Sequence, residues 1–401
     1  MNAELSSNEH FRFAIISSCQ ELWGGCEELW ARAASLLSSA GHCVKAYKTN
    51  VDYTHPQIIA LESNNCPVTD LDNLKNSISS RIINRFLPSD RQSSKIETGR
   101  RLLQQSLASF QPNLCIVSQA INFDGVDFAE ICRKQNFPYV IISQKAVDFF
   151  FPPEGYRPTV RAAYQAAVKC FFVSKHNRDL TQEQIGVKLP NAQIVFNPFA
   201  VPFDNQIPWP PNEKIKLACV ARLFLLDKGQ DNLLRVVAQE KWKERNVEIT
   251  FFGEGADKQA LLEMARLLAV ENVKFAGYVR DIVEVWKEQH ALVLPSRSEG
   301  LPLALVEAML CSRPAIVTNS GGSAEIVEDN ITGFIARAPT VEAFDEALER
   351  AWARRNEWEK IGQLASESLK KIVPSDPAEQ FAKTLLQIVG KQKLSANFSL
   401  S

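Results

Sequence analysis

The feature that most constrains this chain is an alternation of short apolar runs with amphipathic stretches, which starts near the N-terminus and starts again after residue 212. In the first half the runs are FRFAIISS (Phe11 to Ser18), CVKAYKT (Cys43 to Thr49), LCIVSQ (Leu114 to Gln119), PYVIISQ (Pro138 to Gln144), CFFVS (Cys170 to Ser174) and IVFNP (Ile194 to Pro198). Runs of this length read as buried strands, and strands separated by helical patterns predict a parallel sheet with helices on both faces. CQELWGGCEELW (Cys19 to Trp30) opens a helix expected to run to about Ala40. The second series is KIKLACVAR (Lys214 to Arg222), VEITFFGEG (Val247 to Gly255), VKFAGY (Val273 to Tyr278) and ALVLP (Ala291 to Pro295). PAIVTN (Pro314 to Asn319), GGSAEIV (Gly321 to Val327) and GFIA (Gly333 to Ala336) finish it. Proline-dense VPFDNQIPWPP (Val201 to Pro211) reads as the linker between the two. The expected domains are 1–203 and 204–375. A helical pattern from Val341 to Ile372 closes the second, and after the break PSDP a last helix and a frayed tail from Lys391 occupy 376–401.

At 401 residues there is enough chain for two ordinary cores. A formal net charge of −1 gives no general attraction to nucleic acid or anionic lipid, so no nucleic-acid partner is expected. The nine cysteines form no C-x-x-C pair and several sit inside apolar runs, so they read as core residues in a reducing compartment rather than zinc ligands or disulfides. No apolar run reaches membrane-spanning length and MNAELSSNEH (Met1 to His10) is no signal peptide, which predicts a cytoplasmic protein.

The stretch richest in chemistry is SRSEGLPLALVEAMLCS (Ser296 to Ser312), which follows the ALVLP strand. Glu299 stands in the loop at the strand's carboxyl end, and a helix begins near Pro302, where proline suits the first turn. Glu307 is the only charge on that greasy helix, and burying it is costly unless something hydrogen-bonds it. Strand end, turn and helix start are where open α/β sheets hold ligands. Capping by Glu299 and a structural ion pair for Glu307 are the plain alternatives. No G-x-G-x-x-G follows the first strand, which argues against a dinucleotide fingerprint. Gly24 and Gly25 make a bare turn at a helix start, either an ordinary tight turn or a place where amides approach a phosphate. Ser118, Gln119 and Gln144 end their strands with polar groups expected to face a crevice. FFFPPEG (Phe149 to Gly155) reads as a rigid surface loop packed on the core, with acceptor lining as the alternative. Asp70-Leu71-Asp72 is formally a metal-binding D-x-D, but its setting reads as a helix start, where capping explains it better. The mostly basic segment with Lys75, Arg81, Arg85, Arg91, Lys95, Arg100 and Arg101 reads as a solvated helix face. A peripheral contact with the inner face of a membrane is its second reading.

EGLPLALVE, with seven residues between the glutamates, resembles the E-x7-E signature of retaining family-4 glycosyltransferases of the GT-B fold. The resemblance is strongest from about Lys214 to Ala336. It implies an α/β chain of two Rossmann-like domains with a deep inter-domain cleft, the first serving the acceptor, the second the nucleotide-sugar donor, and closing on the donor. Arg222 and Lys228 resemble the family's G-R-x…K-G pair, although Ala221 replaces the usual glycine. The resemblance makes Arg222, Lys228 and Glu299 the catalytic candidates, the two cations neutralising the departing diphosphate. It makes Gly24, Gly25, Gly253, Tyr278, Val279, Gly300, Leu301, Leu303 and Glu307 the donor-binding candidates, with Glu307 on the ribose hydroxyls. Ser118, Gln119 and Gln144 lie on the acceptor side. Many relatives carry histidine there, and glutamine cannot act as a base near neutral pH.

The function expected is transfer of a hexose-type sugar, with retention and front-face attack, from a UDP- or GDP-sugar to a glycan, lipid-linked or small-molecule acceptor. No cofactor or metal is expected. A nucleotide-sugar epimerase on the same fold and a non-catalytic nucleotide-sugar-binding scaffold are the competing expectations.

Overall fold

The structure is a computed structural model that describes residues 9–72, 91–204, 207–211 and 213–398, without the side chains of 91–97 and 394–398. The chain divides into two compact units. One comprises 1–173, 177–198 and 376–401, the other 174–176 and 199–375.

The first unit holds a seven-stranded sheet of β1 (Arg12–Ser17), β2 (Cys43–Lys48), β3 (Val68–Asp70), β4 (Leu114–Gln119), β5 (Tyr139–Ser143), β6 (Lys169–Phe172) and β7 (Ala192–Ile194). The spatial order is β3-β2-β1-β4-β5-β6-β7 and every pair is parallel. All six residues of β4 are buried, as a parallel strand covered on both faces requires. Leu29, Trp30, Ala33 and Leu37 of the helix Glu28–Ser39 pack on one face with Phe13, Ile15 and Ile116. Each of the leucine, isoleucine and phenylalanine side chains among them contributes about 1.5–3 kcal/mol on burial. The helix Pro377–Phe398 joins the same core through Phe381, Leu385 and Val389, and the Phe381 ring meets Phe171 edge-on at 5.1 Å.

The second unit holds β8 (Ile215–Val220), β9 (Val247–Phe252), β10 (Val273–Gly277), β11 (Ala291–Leu294), β12 (Ala315–Thr318) and β13 (Gly333–Ala336), in the parallel order β10-β9-β8-β11-β12-β13. Each sheet has one point where the chain reverses its direction of travel. In the first unit it lies between β1 and β4, in the second between β8 and β11. Loops at the carboxyl ends of those neighbouring strands diverge and leave a crevice in each sheet.

Several local expectations need correcting. The edge strand β3 has no apolar run to announce it, so Asp70 ends a strand instead of opening a helix. Asp70 accepts from the Asp72 amide at 2.8 Å, while Asp72 accepts from the Asn50 amide at 2.9 Å. GGSAEIV is a turn followed by the short helix Ser323–Ile326, because its glycines and serine favour a turn over a strand. The pattern from Val341 to Ile372 breaks into Val341–Ala353 and Trp358–Lys370 around a 3₁₀ turn at Arg355–Glu357. Helix continues past Lys391 to Phe398 instead of fraying. In FFFPPEG all three phenylalanines are exposed, although the Phe150 ring stacks on that of Phe123 at 6.4 Å.

Of the basic segment, Lys75, Arg81 and Arg85 lie outside the described residues, as do the side chains of Arg91 and Lys95. Arg100 pairs with Asp127, which also accepts from the Tyr156 hydroxyl at 2.9 Å. No described helix is long and apolar enough to cross a membrane.

Candidate active site

In the second unit the loops that follow β8 and β11 meet at the reversal point. The β8 loop carries Arg222, a short helical turn Leu225–Lys228, and Gly229. Gly229 has φ +61°, and a Cβ there would lie 2.2 Å from the carbonyl oxygen of Pro295, so only glycine lets the two loops come this close. The Asp227 carbonyl accepts from the amides of Arg297 and Ser298 at 2.7 and 3.1 Å, which ties the loops together. Arg297 adds a bidentate pair to Asp231 (2.7 and 2.8 Å) and a bond to the Leu225 carbonyl at 2.6 Å. Burial alone would push the Asp231 carboxyl up, but hydrogen bonds and charges from Arg297 and Arg235 outweigh it and hold it below its ordinary range.

This clamp brings Lys228 onto Glu299. The ammonium donates to both carboxylate oxygens, at 2.7 and 2.8 Å, and the Ser296 hydroxyl donates to one of them at 2.7 Å. Glu299 is almost fully buried and Lys228 mostly so, which makes this a desolvated pair that is costly to break, because removing either partner leaves the other charge buried and uncompensated. Arg222 is half-exposed, with its guanidinium 5.0 Å from the Phe224 ring and 3.7 Å from the Asp227 carboxylate. The sequence thus brings two cations and a carboxylate to one crevice. The Lys228 charge is shared with Glu299, so it is not a lone phosphate anchor.

Glu307 lies on the helix Leu303–Leu310, whose remaining side chains are apolar. Its carboxylate is buried and accepts from the Ala200 amide at 2.9 Å, which supplies a hydrogen bond that its burial demands. Pro302 caps the helix start with no side-chain bond. Gly300 is drawn into the same turn, where its carbonyl accepts from the Gly322 amide at 2.7 Å. Leu301 and Leu303 are partly buried beside it. Gly253, Tyr278 and Val279 sit together one strand away, since the Gly253 amide donates to the Gly277 carbonyl at 2.8 Å. Tyr278 is largely exposed there.

In the first unit the loops after β1 and β4 meet in the same manner. The Ser18 hydroxyl donates to the Ser118 carbonyl (3.1 Å) and to Asp124 (2.6 Å). Gly24 and Gly25 form the turn before the Glu28–Ser39 helix, closed by the Glu27 amide on the Gly24 carbonyl at 2.9 Å. Ser118, Gln119 and Gln144 are buried and do not face open space, because the strand ends are covered by neighbouring side chains. The Gln119 oxygen accepts from the Tyr164 hydroxyl (2.6 Å), and the Gln144 oxygen accepts from the Asn197 amide group (2.7 Å). Each glutamine keeps a buried Nε2 with no hydrogen-bond partner among the described residues, an arrangement that costs free energy unless a ligand or water accepts from it.

A charged cluster lies beneath this crevice. Its Glu27 belongs to a G-G-x-E run with Gly24 and Gly25 that resembles the family's N-terminal loop, whereas Lys48 and Asp124 carry no such signal. Lys48, fully buried, donates to the carbonyls of Cys19 and Glu21, both at 2.7 Å, and lies 3.8 Å from Glu27. Burial pushes the Glu27 carboxyl up against the lowering effect of Lys48 and of the Ser17 hydroxyl, which donates at 2.5 Å. Burial likewise pushes the Asp124 carboxyl up to about 6, although Ser18 and backbone amides oppose it. Nothing in the sequence pattern sets Lys48 apart from an ordinary charge at a strand end.

The chain is similar to known proteins in sequence and in fold. Residues 202–368 match the family model described as glycosyl transferases group 1. Bacillus subtilis EpsD, which carries a provisional glycosyltransferase name, is 29% identical over 158 residues, 39% of this chain and 42% of that protein. An Escherichia coli UDP-Gal:alpha-D-GlcNAc-diphosphoundecaprenol alpha-1,3-galactosyltransferase is 36% identical over 74 residues, 18% of this chain and 19% of that one. The matched stretch spans half or less of the length of the curated relatives compared. Among solved structures, Anabaena Alr3699/HepE in complex with UDP-glucose superposes with a TM-score of 0.70 at 17% identity, covering 94% of this chain and 100% of that one. Residues 202–368 therefore resemble the group 1 glycosyl transferases, and the chain has the α/β fold of GT-B enzymes, two Rossmann-like domains.

Proposed function

We propose that this protein is a retaining glycosyltransferase that moves a hexose from a nucleoside-diphosphate sugar to a glycan, lipid-linked or small-molecule acceptor. The observation that carries the reading is the Lys228–Glu299 pair with Arg222 at the reversal point of the second sheet, beside a helix start and the buried Glu307. Leaving-group departure puts negative charge on the diphosphate, and fixed cations and main-chain donors in a dry site answer that need. Arg222 offers a planar fork and Lys228 a point charge steered by Glu299. The Glu307 carboxylate suits a ribose diol, and Gly253, Tyr278 and Val279 would border the base. Gly24 and Gly25 would approach the diphosphate, while the buried Ser118, Gln119 and Gln144 would support the acceptor side from beneath and not by lining it. UDP is the favoured nucleotide, because the solved HepE complex contains UDP-glucose and the E. coli relative is named for UDP-Gal.

In the front-face reading the acceptor oxygen attacks the anomeric carbon from the side the diphosphate leaves. The bond from that carbon to the diphosphate oxygen breaks, the new glycosidic bond forms, and the acceptor's proton passes to the departing phosphate. Glu299, held by Lys228 and Ser296, orients the sugar and is not a covalent nucleophile. No metal takes part in this scheme.

The test is incubation with UDP-glucose, UDP-galactose, GDP-mannose and their N-acetyl counterparts, followed by mass spectrometry and NMR. Slow release of the α-hexose before mutarotation, unchanged by a chelator, supports the proposal. Release of the β-anomer overturns retention. Isomerised donor would make the protein an epimerase, and binding without turnover would make it a scaffold.

A further inference from the structure

The loop between β1 and the Glu28–Ser39 helix holds two cysteines that no part of the proposed chemistry uses. The sulfurs of Cys19 and Cys26 lie 3.5 Å apart, and both thiols are free. Each is anchored from a different side. The Cys19 amide donates to the Ser17 hydroxyl at 3.2 Å, and its carbonyl accepts from Lys48 at 2.7 Å and from Thr49 at 3.3 Å. Cys26 precedes Glu27, which is fixed by Ser17 and by the Gly24 carbonyl. Between them runs the Gly24–Gly25 turn, folded so closely that a Cβ on Gly24 would lie 3.4 Å from the Cys26 sulfur and 3.3 Å from Glu21 Oε2. Glu27 offers a third potential metal ligand within 4.8 Å of both sulfurs. The buried ammonium of Lys48 already sits 3.8 Å from that carboxylate, which disfavours a divalent cation there.

We propose that Cys19 and Cys26 form a reversible disulfide that closes the loop into a ring around the Gly24–Gly25 turn. The oxidant is a peroxide. The Cys26 thiolate, the less buried of the two, attacks a peroxide oxygen and becomes a sulfenic acid while the other oxygen leaves as water. The Cys19 sulfur then displaces the sulfenic oxygen as a second water, so two thiols and hydrogen peroxide give one disulfide and two waters. Hydrogen bonding to Cys19 and burial push the Cys26 thiol well up, so oxidation quickens as pH rises through the alkaline range. Ring closure removes freedom that two adjacent glycines otherwise give the turn. Where that turn approaches a donor diphosphate, which rests on the transferase reading, the oxidised protein binds the donor more weakly.

The experiment treats the whole protein with limiting hydrogen peroxide and a chelator, alkylates it while unfolding, and maps the peptides. Cys19 and Cys26 are expected to leave the alkylated pool together as one linked peptide two hydrogens lighter, reappearing after dithiothreitol. Exposed Cys43 reports reagent access, and Cys26→Ser leaves Cys19 alkylated. Oxidation of Cys26 without linkage, or loss of Cys19 in Cys26→Ser, overturns the disulfide. UDP affinity measured by calorimetry is expected to fall about tenfold on oxidation, roughly the value of one charge-assisted hydrogen bond. A linked peptide with unchanged affinity overturns the loop's role at the donor. Absence of UDP binding by the reduced protein counts against the transferase reading and leaves the peptide result standing.

Discussion

The Lys228 ammonium lies 2.7 and 2.8 Å from the two oxygens of Glu299, a carboxylate 71 residues later in the chain. Neither group acts alone, so single substitutions report on both. Lys228→Ala should lower turnover by roughly 10²–10³-fold as a charge stabiliser is lost. It also strands a buried carboxylate, at a stability cost of about 1–3 kcal/mol. Adding Glu299→Gln should restore most of that stability and none of the turnover. A urea-melt double-mutant cycle with a coupling of about 0.5–3 kcal/mol checks the pairing. Strict additivity would show that the pair is incidental.

In the proposed site, substitutions at Glu307 are expected to separate binding from turnover. Glu307→Gln keeps an oxygen for the Ala200 amide, whereas Glu307→Ala removes it. The glutamine variant should fold with near-native stability and, if the proposed ribose contact holds, bind UDP about tenfold more weakly as a neutral acceptor replaces a charged one. The alanine variant should lose about 1–2 kcal/mol of stability as well. Calorimetry with UDP and thermal melts distinguish them. Equal UDP affinity in both variants and the parent would remove Glu307 from the nucleotide site.

Much of this architecture was legible because parallel strands buried on both faces are continuous apolar runs, and VEITFF and LCIVSQ could be little else. The three-residue β3 lacks that signature, and its polar Thr69 and Asp70 read as something else. Glu299 and Glu307 stood out as lone charges beside greasy sequence. Lys228 was a candidate by resemblance, but its pairing with Glu299 was not legible, nor were the contacts of Ser296 and Ala200, since strand order and loop geometry assemble them and pattern does not encode either. The burial of Gln119 and Gln144 was invisible for the same reason: a glutamine after a strand looks alike whether open space or Tyr164 lies above it. Cys19 and Cys26, with no recognised spacing between them, read as two core residues.

Gly253 is needed for geometry and has no side chain to contribute. Its φ is +142°, and a Cβ would stand 2.1 Å from the Ala221 carbonyl oxygen. That oxygen is backbone and cannot step aside, so Gly253→Ala must displace the β8 loop that carries Arg222. The expected cost is about 2–4 kcal/mol, from steric overlap and an unfavourable φ together. Donor binding should fall with it. A chemical melt within about 0.5 kcal/mol of the parent would show that the loop yields easily.

Asp124 predicts a pH dependence of stability. Burial raises its folded carboxyl to about 6 from an ordinary value of 3.8, and nearby Glu27 pushes in the same direction. Between those two values the folded chain holds a proton that the unfolded chain releases. Asp124 therefore makes stability rise as pH falls through 6, level off below 3.8, and reach its lowest contribution above 6. Glu27, also raised by burial, adds to the trend with the same sign. In Asp124→Asn the carboxyl cannot titrate, while one oxygen still accepts from Ser18. The difference in urea midpoint between parent and variant should shrink on the acid side and widen towards pH 8. A difference that stays flat from pH 4 to 8 would mean that Asp124 is ionised throughout, with the Ser18 hydroxyl and backbone amides solvating its charge fully in the folded chain.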